Sequence, residues 1–277
     1  MSRWFPDSLS IALAPDQVVV ERRSAGLLGR AGKRVVHQET LATVSDPVYK
    51  AWDKALEALA RVLDTQAGEP YADVTVILAN SFVRYALVPQ SNRLSAEQES
   101  AVLQHCFHEL YGDVVAGWEL RLSTVSGMDV QPASGVDRTL LEGLRSLISG
   151  KRLRLRSIQP RLMAVCNEHR AALGAGKAWL LLVEPGNLCL GLIERGGLTR
   201  LRNLRCGENW AAELPWLLER EVCVAELDEA PGDVLLWHRD GTIPARLSAG
   251  GPRLHLLADR QPIVADAVTD DLAMAGG

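Results

Sequence analysis

The sequence predicts an α/β protein built from two related halves, and three observations carry that prediction. The order β-β-β-α-β is read twice, once from LAPDQVVVER and once from VEPGNLCLGLIER, as a duplicated unit would give. The chain has 277 residues, 47% hydrophobic and 23% charged, an ordinary globular composition that excludes disordered and collagen-like classes and suits one large domain or two modest ones. Short alternating runs rich in β-branched residues are interspersed with segments of helical period.

Along the first half, residues 9–14 and 17–22 read as strands joined at Pro15 and Asp16, where proline fixes φ and aspartate accepts a tight bend. A glycine-rich stretch over 26–32 leads into a third strand, 35–44. Asp46-Pro47 opens a helix whose apolar positions Trp52, Leu56, Leu59 and Leu63 keep the helical period, and Gly68 and Pro70 end it. Strands follow at 74–78 and 83–88. Ser95 then has Gln98 three residues on, the spacing of a capping box, and opens a helix to Tyr111. A strand at 118–125, a helix at 136–148 and a strand at 152–158 complete the half, and Pro160 starts a helix ending near Gly174.

The second half opens on strands at 179–184, 188–194 and 198–205, separated by turns at Pro185-Gly186 and Gly196-Gly197 and followed by a helix at 210–221. The reading divides the chain into a first lobe, 1–160, with an inserted subdomain over about 73–150, and a second lobe, 161–262. Residues 263–277 form a terminal helix or a frayed tail.

The formal charge of −4 gives no basic excess, which argues against a nucleic-acid binder. The run Lys151, Arg152, Arg154 and Arg156 alternates with Leu153 and Leu155, the pattern of a half-buried strand with a solvated basic face, and no stacking aromatics interleave it. Five cysteines, an odd number without a CxxC pair, read as reduced and mostly core thiols of a cytosolic protein. No apolar run approaches the roughly 20 residues that span a bilayer, so direct membrane insertion is not expected.

Three constellations invite a functional reading and have simpler ones. AALGAGKAW resembles a P-loop, but Ala171 and Ala178 replace its first glycine and its Ser/Thr, and a helix precedes the loop where a strand is required. His105 and His108 could share a helix face for zinc, yet recognisable further ligands are lacking, while Val102, Cys106, Leu110 and Leu103, Phe107 read as the buried stripe. Seven tryptophans are assigned to packing, with Trp4 as a candidate contact residue. GxSxG, HExxH and GxGxxG are all absent.

The hairpin SIALAPDQVVVER, the segment VTVILANSFVRYALVP with the helix after it, SIQPRLMAVCNEHR and WLLLVEPGNLCLGLIERGGLTRLRNLR together resemble the actin-like (RNase H-like) fold. In detail they look like its degenerate bacterial branch, the actin-like assembly proteins of type IV pili and type II secretion (PilM-like, MshI-like and GspL cytoplasmic-domain-like). The resemblance implies two lobes, each a mixed sheet opened by a three-stranded antiparallel meander and flanked by helices, with a cleft between the hairpins at Pro15 and Pro185.

Active members of that fold hold ATP between the two hairpins, on acidic residues and backbone N–H donors. Here Ala12 and Ala14 stand where the family pattern has Asp and Gly, and Pro15 has no N–H. Glu184 and Gly186 remain as a degenerate phosphate hairpin and are the cofactor-binding candidates, interrupted by Pro185. The resemblance therefore implies a non-enzymatic cytoplasmic scaffold with no required cofactor, ATP and magnesium being disfavoured. Its implied partner is the cytoplasmic segment of an inner-membrane pilus or secretion protein, bound in a groove between the lobes, with an assembly ATPase nearby. The rival readings are a nucleotide-binding ATPase or kinase of the actin, Hsp70 and sugar-kinase superfamily using Glu184, and a nucleic-acid-associated protein using the 151–156 face.

Overall fold

Two five-stranded mixed sheets of identical order organise the chain in the computed structural model, which describes residues 7–24, 34–42, 50, 52–65, 69, 71–90, 94–125, 127–174, 176–241 and 252–258. The first sheet contains β1 (Asp7–Leu13), β2 (Gln17–Ser24), β3 (Arg34–Ala42), β4 (Ala72–Leu78) and β8 (Leu153–Pro160) in the order β3-β2-β1-β4-β8. The second contains β9 (Ala178–Glu184), β10 (Asn187–Glu194), β11 (Gly197–Arg205), β12 (Asp233–His238) and β13 (Arg253–Leu256) in the order β11-β10-β9-β12-β13. In each, the first three strands form an antiparallel meander and the fourth and fifth run parallel to the first. Leu9–Val20 and Leu180–Leu192 thus occupy equivalent hairpins of a duplicated fold.

The meanders are followed by α1 (Asp53–Thr65) in the first half and α6 (Trp210–Val224) in the second. The spacing that predicted α1 has a physical basis, because Leu59 and Leu63 are fully buried beside Ala55, Ala58 and Val62. One continuous core contains Leu9, Ile11 and Leu13 of β1, the buried faces of α1 and α3 (Arg138–Ile148), and Leu180 and Leu182 of β9. A second core lies on the opposite face of the second sheet, where Trp179, Leu181 and Val183 meet Trp210, Leu214 and Leu218 of α6. β9 is consequently buried through all seven residues.

Between β4 and β8 the chain builds a separate three-stranded sheet, β5-β7-β6, from β5 (Val83–Pro89), β6 (Trp118–Leu122) and β7 (Val130–Asp137), with α2 (Ala96–Tyr111) packed on it. The inserted subdomain therefore begins after β4, which belongs to the first main sheet, rather than near residue 73. Ser95 caps α2 through the full capping box anticipated with Gln98. The helix expected over 136–148 starts instead at Arg138, with the Asp137 side chain accepting from Thr139 N at 2.8 Å.

The residues before that helix form β7, which VQPASGVD conceals because Pro, Ser and Gly argue against a central strand. Gly135 is required there, since a Cβ would sit 2.9 Å from the rings of Phe107 and Trp118. In the second half the tight turn falls at Arg195 and Gly196, both with positive φ, and Gly197 already belongs to β11. The remaining helices are α4 (Arg161–Glu168) and α5 (Arg170–Leu173). The glycine-rich stretch 26–32, the Asp46-Pro47 helix start, Gly68, Pro70, Trp4 and the segment 263–277 lie outside the described residues.

The five thiols are free; Cys189 is buried in the core, Cys106, Cys166 and Cys206 pack against the cores half-buried, and Cys223 is exposed. Among the described residues, no helix is long and apolar enough to cross a membrane.

Candidate functional site

The turn of the first hairpin approaches the end of β9, and Arg239, which follows β12, joins the two. Asp16, in the β1–β2 turn, receives two bonds from Arg239, Nη1 to Oδ1 at 2.8 Å and Nη2 to Oδ2 at 2.7 Å. This two-bond fork fixes orientation as well as distance. The Arg239 backbone N–H donates to the Val183 carbonyl at 3.2 Å, which anchors the cation beside the second hairpin.

Beneath this ion pair lies Glu184, the last residue of β9 and 6% exposed. Its Oε2 accepts the backbone N–H of Asn80 at 2.7 Å. Burial pushes the Glu184 carboxyl upward, and the nearby Asp16 charge adds to this; the Asn80 hydrogen bond, Arg161 and Arg239 pull it back.

Asn80 is the hub of the junction. It opens the 3₁₀ turn Asn80–Phe82 between β4 and β5 and is fully buried. Its Oδ1 accepts from Tyr85 Oη at 2.6 Å and from Leu162 N, in the first turn of α4, at 3.1 Å. Its carbonyl accepts from Asn203 Nδ2 of β11 at 2.9 Å. One residue thus ties β9, α4, β5 and β11 together. Burial, with Cys189 and Glu184 close by, raises the Tyr85 phenol well above its usual value and keeps it a donor. Arg161 stacks over Trp237, its guanidinium carbon 4.8 Å from the ring centroid.

The two sequence candidates fall on this junction with different roles. Glu184 lies inside it, with one carboxylate oxygen engaged by Asn80. Gly186 lies at the exposed tip with φ +73°, a turn conformation that favours glycine, and its carbonyl accepts from Cys206 N at 3.2 Å. On the facing turn, the Ala14 N–H is taken by the Gln17 carbonyl at 2.9 Å. A phosphate cradle needs free N–H donors at both turns; here Ala14 is engaged and Pro15 has none. Asn80, Asn203, Arg161 and Arg239 were not legible as site residues. Asp16 and Arg239 are 223 positions apart with no local pattern linking them, and Asn80-Ser81 in LANSF is a polar pair between two strands with nothing local to mark it.

The other constellations separate from this junction. His108 Nε2 stands 3.1 Å from Asp113 Oδ1 on an exposed surface, and among the described residues no group of three His, Cys, Asp or Glu is placed to hold a metal. The P-loop lookalike runs from α5 into β9, the reverse of the required order. Arg152, Arg154 and Arg156 are exposed while Leu153 and Leu155 are half-buried, and Arg156 reaches Asp73 at 2.9 Å.

A groove of about 550 Å³ lies between β6 and β8, each the terminal strand of its sheet. Arg145 of α3, Met163 and Asn167 of α4, and Glu119 contribute to its walls. Hydrogen bonds from Arg121 and Arg145 hold the Glu119 carboxyl below its usual range.

No family model and no curated protein matches the chain. Solved structures do. A Bacteroides thetaiotaomicron protein with an actin-like ATPase fold and unknown function superposes with a TM-score of 0.58 at 13% identity, over 92% of this chain and 91% of that one. The cytoplasmic domain of EpsL, an inner-membrane component of the type II secretion system of Vibrio cholerae, gives 0.55 at 15% identity over 92% and 87%. The PilM-PilN type IV pilus biogenesis complex gives 0.60 at 14% identity over 84% and 81%. The duplicated sheets, each opened by an equivalent hairpin, and these three superpositions lead to one identification: the chain has the actin-like fold.

Proposed function

We propose that the protein is a non-catalytic actin-like scaffold at the cytoplasmic face of a type IV pilus or type II secretion-like machine. It holds the cytoplasmic segment of an inner-membrane partner, which also recruits it to the membrane, and an assembly ATPase is a further neighbour. The observation that carries the reading is the Asp16–Arg239 pair, which ties the β1–β2 turn to the end of β9, the region where active members of the fold hold phosphate. The first two turn positions support it, since the Ala14 N–H is taken by the Gln17 carbonyl and Pro15 has none. The groove between β6 and β8 supports the second part, because an extended segment gains main-chain hydrogen bonds along a terminal strand.

Two measurements test it together. A ligand at 100 times its dissociation constant stabilises a fold by about 2.7 kcal/mol, so magnesium-ATP is expected to leave the melting temperature unchanged. Cytoplasmic peptides of inner-membrane proteins encoded beside this chain are expected to raise it. An ATP-induced rise that Glu184→Ala abolishes favours the ATPase or kinase reading; failure of every such peptide to bind removes the scaffold's mechanism.

A further inference from the structure

The helix α2 leaves part of its apolar stripe uncovered. Leu103 and Phe107 are buried against the small sheet, but the adjacent row, Val102, Cys106 and Leu110, emerges progressively. Val102 and Cys106 are half-buried and Leu110 is 61% exposed. Val114, in the 3₁₀ turn Gly112–Gly117 that follows, is also 61% exposed. Residues spaced four apart on a helix form one ridge, the element that packs into the groove of a facing helix.

Carboxylates outnumber cations around this ridge, where His108 reaches Asp113 at 3.1 Å and Arg138 reaches the Ala116 carbonyl. Residues 83–137 carry seven Asp and Glu against three Lys and Arg, a net −4 equal to that of the whole chain, so the remainder of the protein sums to zero. Glu99, Glu109 and Asp113 flank the ridge and are exposed. Apolar anchors within a field of carboxylates match a partner with the opposite pattern.

We propose that this face of α2 docks a basic amphipathic helix of a protein partner, with leucine-like side chains against Leu110 and Val114 and lysines or arginines against the carboxylates. Helix-on-helix recognition of this kind reads anchors at i and i+4, and the charge complementarity selects the partner and speeds encounter. The surface is distinct from the β6–β8 groove and goes beyond the scaffold reading, since neither site needs the other to be occupied.

The probe is a fluorescent Leu/Lys amphipathic peptide of about 18 residues, five helical turns, with a Leu/Glu peptide of the same length as control. The full chain is expected to bind the first and ignore the second, and to lose affinity as salt shortens the screening length. Leu110→Ser with Val114→Ser is expected to weaken binding by about tenfold or more with an unchanged melting temperature, because both side chains are exposed. Glu109→Gln with Asp113→Asn is expected to weaken binding and flatten its salt dependence, while Trp216→Ser, at an exposed site on α6, leaves it unchanged. Absence of binding, equal binding of the Leu/Glu peptide, or equal binding by the Leu110/Val114 variant overturns the proposal. So does a self-association that the same variant abolishes, which would make the face an interface between copies. Binding of pilus or secretion peptides in the β6–β8 groove is read separately and is not expected to respond to these substitutions.

Discussion

The two five-stranded sheets share strand order and direction but bury themselves differently. β1 alternates, with Leu9, Ile11 and Leu13 inside and Ala12 half-buried, whereas β9 is buried on both faces. The second sheet gains its extra layer from α6. The connections diverge further: the first sheet reaches its fifth strand through residues 79–152, which hold α2, the small sheet and α3, while the second does so through residues 239–252. The topology is kept where a register slip would move a whole buried row to the other face. Turns and crossovers carry no such constraint, and there the halves have separate chemistry.

The largest expected effect comes from the core that the two halves share. Ile11→Ala in β1 and Leu182→Ala in β9 each remove a fully buried side chain from the same cluster. Each is expected to cost about 2–5 kcal/mol through lost transfer energy and residual cavity. Because the cluster is continuous, each substitution is expected to move a single cooperative urea transition seen identically by circular dichroism and tryptophan fluorescence. Two separable transitions, each sensitive to only one substitution, would break the picture of a shared core.

A smaller effect is expected at the hairpin tips. The Asp16 and Arg239 side chains are 41% and 22% exposed, so solvent screens the pair despite its bidentate geometry. A double-mutant cycle with Asp16→Asn and Arg239→Gln is expected to return a coupling of about 0.5–1 kcal/mol that shrinks with added salt. A coupling indistinguishable from zero at low salt would mean that this ion pair does not hold the β1–β2 turn to the second half.

Legibility in the sequence follows the same division. The meanders, α1 and α2 were readable because burial enforces their periods; Leu59 and Leu63 recur on one face, and Ser95 with Gln98 satisfies backbone donors locally. β7 was hidden because its composition answers to Phe107 and Trp118 packed across it, not to strand propensity. Spacing alone puts Leu110 in the core stripe, yet burial also requires something opposite, and spacing does not supply that. At the junction, Glu184 and Gly186 were visible from the duplicated hairpin. Asn80 and Arg239 were not, since their partners meet only after the lobes pack.

The finest distinction between the hairpins is that the second has a buried carboxyl, Glu184, at the end of its first strand, where the first has Ala14, and pH probes it. Burial raises the Glu184 carboxyl above its ordinary value of 4.5 in the folded protein. The native state therefore holds this proton more tightly than the unfolded chain, and the resulting stability is fully present below pH 4.5 and is lost as pH rises through the folded value. Glu184→Gln keeps an oxygen to accept the Asn80 N–H and removes the titration. Its stability, measured by urea unfolding from acid to neutral pH, is expected to fall less than the wild type's over that interval. Asp16→Asn is expected to weaken the same slope, because the Asp16 charge contributes to the upward shift. Arg239→Gln is expected to steepen it, because that cation holds the carboxyl down. Opposite responses to the two halves of one ion pair identify the Glu184 field rather than a general loss of packing; parallel responses would assign the slope to another group.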